Sequence, residues 1–75
     1  MKNIIYRQNK MFCIDKSKLS EKARSNDIIN ALYAAIYTEF IGASKSQYYK
    51  DLTPLERLDK VNEYANKWLS ERGLV

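Results

Sequence analysis

Residues 30–40, NALYAAIYTEF, carry a single charge, on Glu39, in a chain in which 29% of residues are charged. Apolar side chains recur around most of the helical circumference that this stretch would form. Ile29, Leu32, Ile36 and Phe40 follow helical spacing and share one face, which Tyr33 and Tyr37 widen on one side and Ile28 and Ala35 on the other. A further strip, Ala31, Ala34, Ala35 and Thr38, holds only small side chains at i, i+3, i+4 and i+7. A helix that is apolar nearly all round is normally covered on several sides. The rest of the chain must therefore supply that cover, or a partner must.

The chain has few means of doing so alone. Its 75 residues make one domain, and a domain of this size buries only about 60% of the surface that its unfolded form exposes. Cys13 is the single cysteine, so no disulfide can form within the chain, and with no histidine a tetrahedral zinc site is not expected. Oligomerisation or docking on a larger protein is the remaining way to add stability.

Apolar residues at 45% and aromatic residues at 12% argue for a folded domain rather than a disordered one. No run of about 18 apolar residues exists to span a membrane. The N-terminal MKNIIYRQNK lacks the apolar core and cleavage site of a secretory signal. With the lone cysteine, this points to a reducing, cytoplasmic setting. Abundant Asn, Lys, Ile and Tyr suit an AT-rich genome, such as many phages and low-GC bacteria carry.

The expected fold is a small, helix-dominated α+β domain: an N-terminal β-hairpin followed by two antiparallel helices, in ββαα order. NIIYRQNKMFCID holds two β-prone runs around a polar centre, which reads as a hairpin within residues 1–15. A three-residue loop, Gln8-Asn9-Lys10, would pair Arg7 with Met11, Tyr6 with Phe12, Ile5 with Cys13 and Ile4 with Ile14. That register gathers Ile4, Tyr6, Phe12 and Ile14 on one apolar face. A two-residue loop at Asn9-Lys10 would set Arg7 opposite Phe12 and Ile4 opposite Asp15, a poorer match of side chains. Residues 16–26 form a basic connector with only Leu19 and Ala23 to bury.

Ser25, Asn26 and Asp27 can cap a helix over residues 27–41, which Gly42 would end. After a connector over residues 42–53 comes LTPLERLDK. Thr53 is an N-cap, Pro54 suits the first helical position, and Glu56 completes a capping box. The second helix is expected over residues 54–72, with Leu55, Leu58, Val61, Ala65, Trp68 and Leu69 as its buried stripe. Glu56 with Lys60, and Glu63 with Lys67, are expected ion pairs on the outer face. Gly73 would end this helix beside Arg72.

Little catalytic equipment is present. Histidine, the usual general base near neutral pH, is absent. Cys13 lies in a strand pattern without an activating partner. Glu56, Asp59 and Glu63 share a helix face with interleaved lysines, the pattern of a solvated surface rather than a cation site. Neither glycine lies in a phosphate-cradling loop. No enzyme activity, cofactor, metal, small-molecule substrate or membrane association is expected.

Binding is the class left. A protein-interaction module that modulates a larger protein, of the kind phages and mobile elements encode, accounts for the near-uncharged central helix and the tyrosine supply. Tyr33, Tyr37, Tyr48 and Tyr49 are candidate partner contacts, since tyrosine anchors interfaces well. Ala31, Ala34, Ala35 and Thr38 are the candidate seam with a second copy. The competing reading is a nucleic-acid-binding regulator, because residues 1–24 hold seven basic against two acidic side chains, a balance of +5 in a chain of net +4. Lys2, Arg7, Lys10, Lys16, Lys18, Lys22 and Arg24 would be its contacts. Tyr6 and Phe12 could stack on bases if they faced outward, but as the inner face of the hairpin they are expected to face in.

Overall fold

In the computed structural model, which describes residues 3–42 and 46–74, the elements follow the expected order. Strands β1 (Ile5–Gln8) and β2 (Met11–Ile14) form an antiparallel hairpin. Two 3-10 turns, Lys16–Lys18 and Glu21–Arg24, lead to helix α1 (Asn26–Phe40), and a third, Ser46–Tyr48, precedes helix α2 (Pro54–Glu71). The architecture is small, helix-rich α+β.

The hairpin closes differently from the sequence expectation. The loop has two residues, Asn9 and Lys10, both left-handed at φ 51° and 65°. Ile5 pairs with Ile14, Tyr6 with Cys13, Arg7 with Phe12 and Gln8 with Met11. Two consecutive residues of positive φ give a turn whose twist matches that of the strands. Asn9 adopts this conformation readily, because its short polar side chain tolerates the left-handed region. The expected register is thereby shifted by one residue and Tyr6 changes face. Ile5, Phe12 and Ile14 are buried with Ile4, while Tyr6 is 46% exposed. The mismatches that argued against this register are absorbed locally. Arg7 lies with its guanidinium carbon 5.9 Å from the centroid of the Phe12 ring, and the Asp15 N–H donates to the Ile4 carbonyl at 2.8 Å.

Each outer edge of the hairpin is closed by one helix. Because hydrogen-bonded and non-hydrogen-bonded pairs alternate in an antiparallel ladder, the backbone groups of Ile5, Phe12 and Ile14 point away from the partner strand. On the β1 edge the side-chain amide of Asn62, buried in α2, does what a third strand would do. It accepts from the Ile5 N–H at 2.8 Å and donates to the Ile5 carbonyl at 3.0 Å. On the β2 edge the Ile14 N–H donates to the Tyr33 hydroxyl at 3.0 Å, and the Tyr37 hydroxyl donates to the Phe12 carbonyl at 3.3 Å. Open strand edges invite unwanted pairing, and here helix side chains occupy them.

α1 begins where Ser25 accepts from the Ile28 N–H at 3.3 Å. Its inner face buries Ile29, Leu32, Ile36 and Phe40. Gly42 follows the helix end without a left-handed conformation, and its role is steric. A Cβ there would stand 2.7 Å from the Thr38 carbonyl oxygen. α2 opens with the full capping box, Glu56 N–H to Thr53 Oγ1 at 3.2 Å and Thr53 N–H to Glu56 Oε1 at 3.1 Å, with Pro54 in the first turn. It closes with Gly73 at φ 67°, the Gly73 N–H on the Ser70 carbonyl and the Leu74 N–H on the Leu69 carbonyl, which is a Schellman motif.

Three expectations for α2 fail. Leu55 is 77% exposed, because the first turn lies beyond the core and the buried stripe starts further along, with Leu58 half-buried and Val61, Ala65, Trp68 and Leu69 buried. Glu56 makes no pair with Lys60, since its carboxylate is held at the cap. Nor does Glu63 pair with Lys67: among the described residues the ion pair on this face is Lys60 with Glu63, one turn earlier, at 4.0 Å.

The helices run antiparallel. The Ser20 hydroxyl, before α1, donates to the Leu74 carbonyl after α2 at 2.6 Å. At the other end Arg57, early in α2, donates to the Tyr49 carbonyl at 2.7 Å. Leu19 and Ala23, the apolar residues of the connector expected to bury, complete the core. Phe40 joins the layers. Its ring centroid lies 6.4 Å from that of Phe12, 5.6 Å from Tyr64 and 4.5 Å from Tyr49.

Candidate functional site

The four candidate tyrosines divide three to one. Tyr33 and Tyr37, one turn apart on α1, are half-buried and stack with centroids 6.3 Å apart and planes 13° apart. Both hydroxyls already serve the β2 edge, and burial is the main cause that holds the Tyr37 phenol above its ordinary value. Tyr49 is half-buried against Phe40, its hydroxyl 3.4 Å from a Glu39 carboxylate oxygen. Only Tyr48, 81% exposed, lies open to solvent. The other three show why tyrosine count is a poor guide to an interface in so small a domain: a ring that fills the core and a hydroxyl that caps a strand need the same residue type.

The small-residue strip of α1 is on the outside. Ala31, Ala34 and Thr38 are exposed and Ala35 is half-buried, with Ile28 half-buried at one end and Ile41 half-exposed at the other. The exposed positions of α1 itself, Asn26, Asp27, Asn30, Ala31, Ala34 and Thr38, include one charge, Asp27. This is a smooth face with few long side chains to immobilise on contact. Side-chain ordering is one of the costs of association, and alanine adds almost nothing to it.

The basic first third forms a second exposed region. Arg7, Lys10, Lys16, Lys18, Lys22 and Arg24 are all exposed, and Lys2 lies outside the described residues. Tyr6, Gln8, Met11 and Cys13 share the outward face of the hairpin, with Met11 56% exposed and Cys13 partly so. The Cys13 thiol is the leading cause that keeps the Tyr6 phenol above its ordinary value near 10.

A cleft of about 430 Å³ opens where the end of α1 meets α2. Phe40, Tyr49 and Tyr64 line it, under a rim of Glu39, Glu63 and Glu71 mixed with Lys60 and Lys67. The alternation of sign favours neither an anion nor a cation. Among the described residues no group of three Cys, Asp or Glu side chains is placed to hold a metal ion, and no helix is long and apolar enough to cross a membrane. Compared with protein-family models, curated proteins and solved structures, the chain matches none.

Sequence reasoning missed Asn62. It sits beside Val61 within the apolar stripe of α2, and a polar residue at a core-facing position is the signal that could have marked it as a partner for buried backbone.

Proposed function

We propose that the chain is a non-enzymatic protein-interaction module whose contact surface is the outward face of α1, docking a helix of another protein or of a second copy. One observation carries this reading. The most apolar helix of the chain buries its large side chains inward and presents Ala31, Ala34 and Thr38 outward between Ile28 and Ile41. A surface helix whose only task is solvation ordinarily carries charge on its outer face, as α2 does with Asp59, Lys60, Glu63 and Lys67. The small side chains of α1 would let a facing helix backbone come close, with the flanking isoleucines as apolar anchors.

Site-specific photo-crosslinking tests the reading. A photoreactive residue at position 34 should form one discrete adduct in cells, with a second copy or with a single larger protein, while the same residue at position 67 should form none. Ala34→Glu, combined with a photoreactive residue at position 38, should lose the adduct without loss of helical circular dichroism. Equal, diffuse labelling from positions 34 and 67 would refute the assignment.

A further inference from the structure

We infer that the cleft between the end of α1 and α2 binds a small zwitterion with a large apolar side chain, of the class of the aromatic amino acids. The cleft shares no residue with the outward face of α1, so the inference stands apart from the contact proposed above.

The floor is aromatic. Phe40, the last residue of α1, is buried. Tyr49 and Tyr64 flank its ring, with centroids 4.5 Å and 5.6 Å away, and both are half-buried, so the two tyrosines carry one aromatic wall out to the surface. The cleft of about 430 Å³ falls within the usual size of small-ligand sites, which pair an apolar lining with a few polar groups that fix orientation.

The rim supplies those groups in both signs. α2 presents Tyr64, Lys67 and Glu71 at i, i+3 and i+7, on one face of the helix and at the edge of the cleft. Glu63, four residues before Lys67, is taken by Lys60 at 4.0 Å. Lys67 and Glu71 are also four apart, but with the lysine first, which is the less favourable order for a pair along a helix. Both are exposed, and among the described residues neither is tied up in an ion pair.

A simple anion entering this cleft would meet the rim carboxylates, and a simple cation the lysines. A molecule with one charge of each sign meets both without repulsion. Its carboxylate would lie on Lys67 and its ammonium on Glu71, with its side chain running back over Tyr64 onto the aromatic wall. Lys67 and Glu71 stand about 6 Å apart along the helix axis, a gap that two flexible side chains close around a single α-carbon.

The test is an NMR titration of the full chain with L-phenylalanine, read at the backbone amides. Saturable shifts should centre on residues 39–40, 49 and 60–71, with a dissociation constant on the order of 1 mM, the strength usual for a ligand of about twelve non-hydrogen atoms. Lys67→Gln should weaken phenylalanine roughly threefold, the worth of an exposed ion pair. It should leave phenethylamine, which lacks the carboxylate, unchanged. Glu71→Gln should weaken phenylalanine by as much and leave phenylpropionate, which lacks the ammonium, unchanged. Both side chains lie outside the core, so amides away from the cleft should match the parent in each variant. Absence of saturable shifts at about ten times the expected constant would overturn the inference. So would shifts centred elsewhere, phenethylamine, phenylpropionate or glycine binding as tightly as phenylalanine, or either variant binding phenylalanine as the parent does.

Discussion

α1 and α2 enclose the same core and hold the same hairpin, yet they meet the outside differently. α2 is charged outward, capped by a titratable side chain, and grips β1 with one buried amide. α1 is charge-poor outward, capped by a serine, and grips β2 with two phenols at its margin. The contrast teaches that the inner faces of two helices can be equivalent in packing while their outer faces answer different demands. A charged surface keeps α2 solvated, and the bare surface of α1 is what the proposed contact requires.

The largest effect expected from breaking this comparison lies on the shared core. Leu32→Ala in α1, at a fully buried site, should lower unfolding free energy by about 4 kcal/mol. That is most of what a domain of this size commonly has. Chemical denaturation should show a much lower midpoint, or a chain already unfolded without denaturant. Ala34→Glu, two residues further along the same helix but exposed, should shift stability by less than about 0.5 kcal/mol. A similar loss at both positions would mean that the outer face of α1 is not free.

Next come the two edge caps. Asn62→Ala removes an acceptor and a donor that satisfy the buried Ile5 backbone, together with a bond from its amide to the Leu58 carbonyl at 3.2 Å. Leaving such groups unpaired should cost about 3 kcal/mol. Tyr33→Phe and Tyr37→Phe each remove one hydroxyl from a partly exposed edge that water can reach, so about 1 kcal/mol each is expected. Amide exchange should locate the damage on β1 in the first case and on β2 in the second. If Tyr33→Phe proves as damaging as Asn62→Ala, the two edges are not held as unequally as their burial implies.

The smallest effect sharpens the difference between the helix starts. Hydrogen bonds from Thr53, the backbone N–H foremost, hold the Glu56 carboxyl below its ordinary value of 4.5. A depressed folded value means that the stabilisation is complete above about 4.5 and disappears as pH falls through the lowered value. Exchange at the first amides of α2 should therefore quicken on acidification, after correction for intrinsic rates. Those of α1, capped by Ser25, should not. Glu56→Gln should abolish the difference.

Much of this fold is written in local sequence. Thr53, Pro54 and Glu56 announce the start of α2 because a capping box is satisfied within four residues, whatever the remainder of the chain does. Ile29, Leu32, Ile36 and Phe40 announce the inner face of α1 because helical periodicity is a property of the segment itself. The hairpin was legible as a hairpin but not in its register. Side-chain matching favoured Tyr6 beside Phe12, whereas turn stereochemistry chose the pairing. Leu55 misled for a related reason: periodicity states which face of a helix is apolar, not how far along its length the core extends.

The candidate surfaces divide along the same line. That residues 1–24 are basic and that α1 carries a strip of small side chains is readable from composition and spacing alone. That the strip faces outward, that Tyr33 and Tyr37 are tied to β2 and that Tyr6 is open depend on contacts between residues far apart in the chain. The sequence by itself determined the elements, their order, their caps and the uneven charge, since each follows from interactions within a turn or two of backbone. Only the tertiary structure decided the hairpin register, the role of Asn62 57 residues from Ile5, and which aromatic rings remain available. A side chain's exposure is settled by what packs over it, and no local pattern records that.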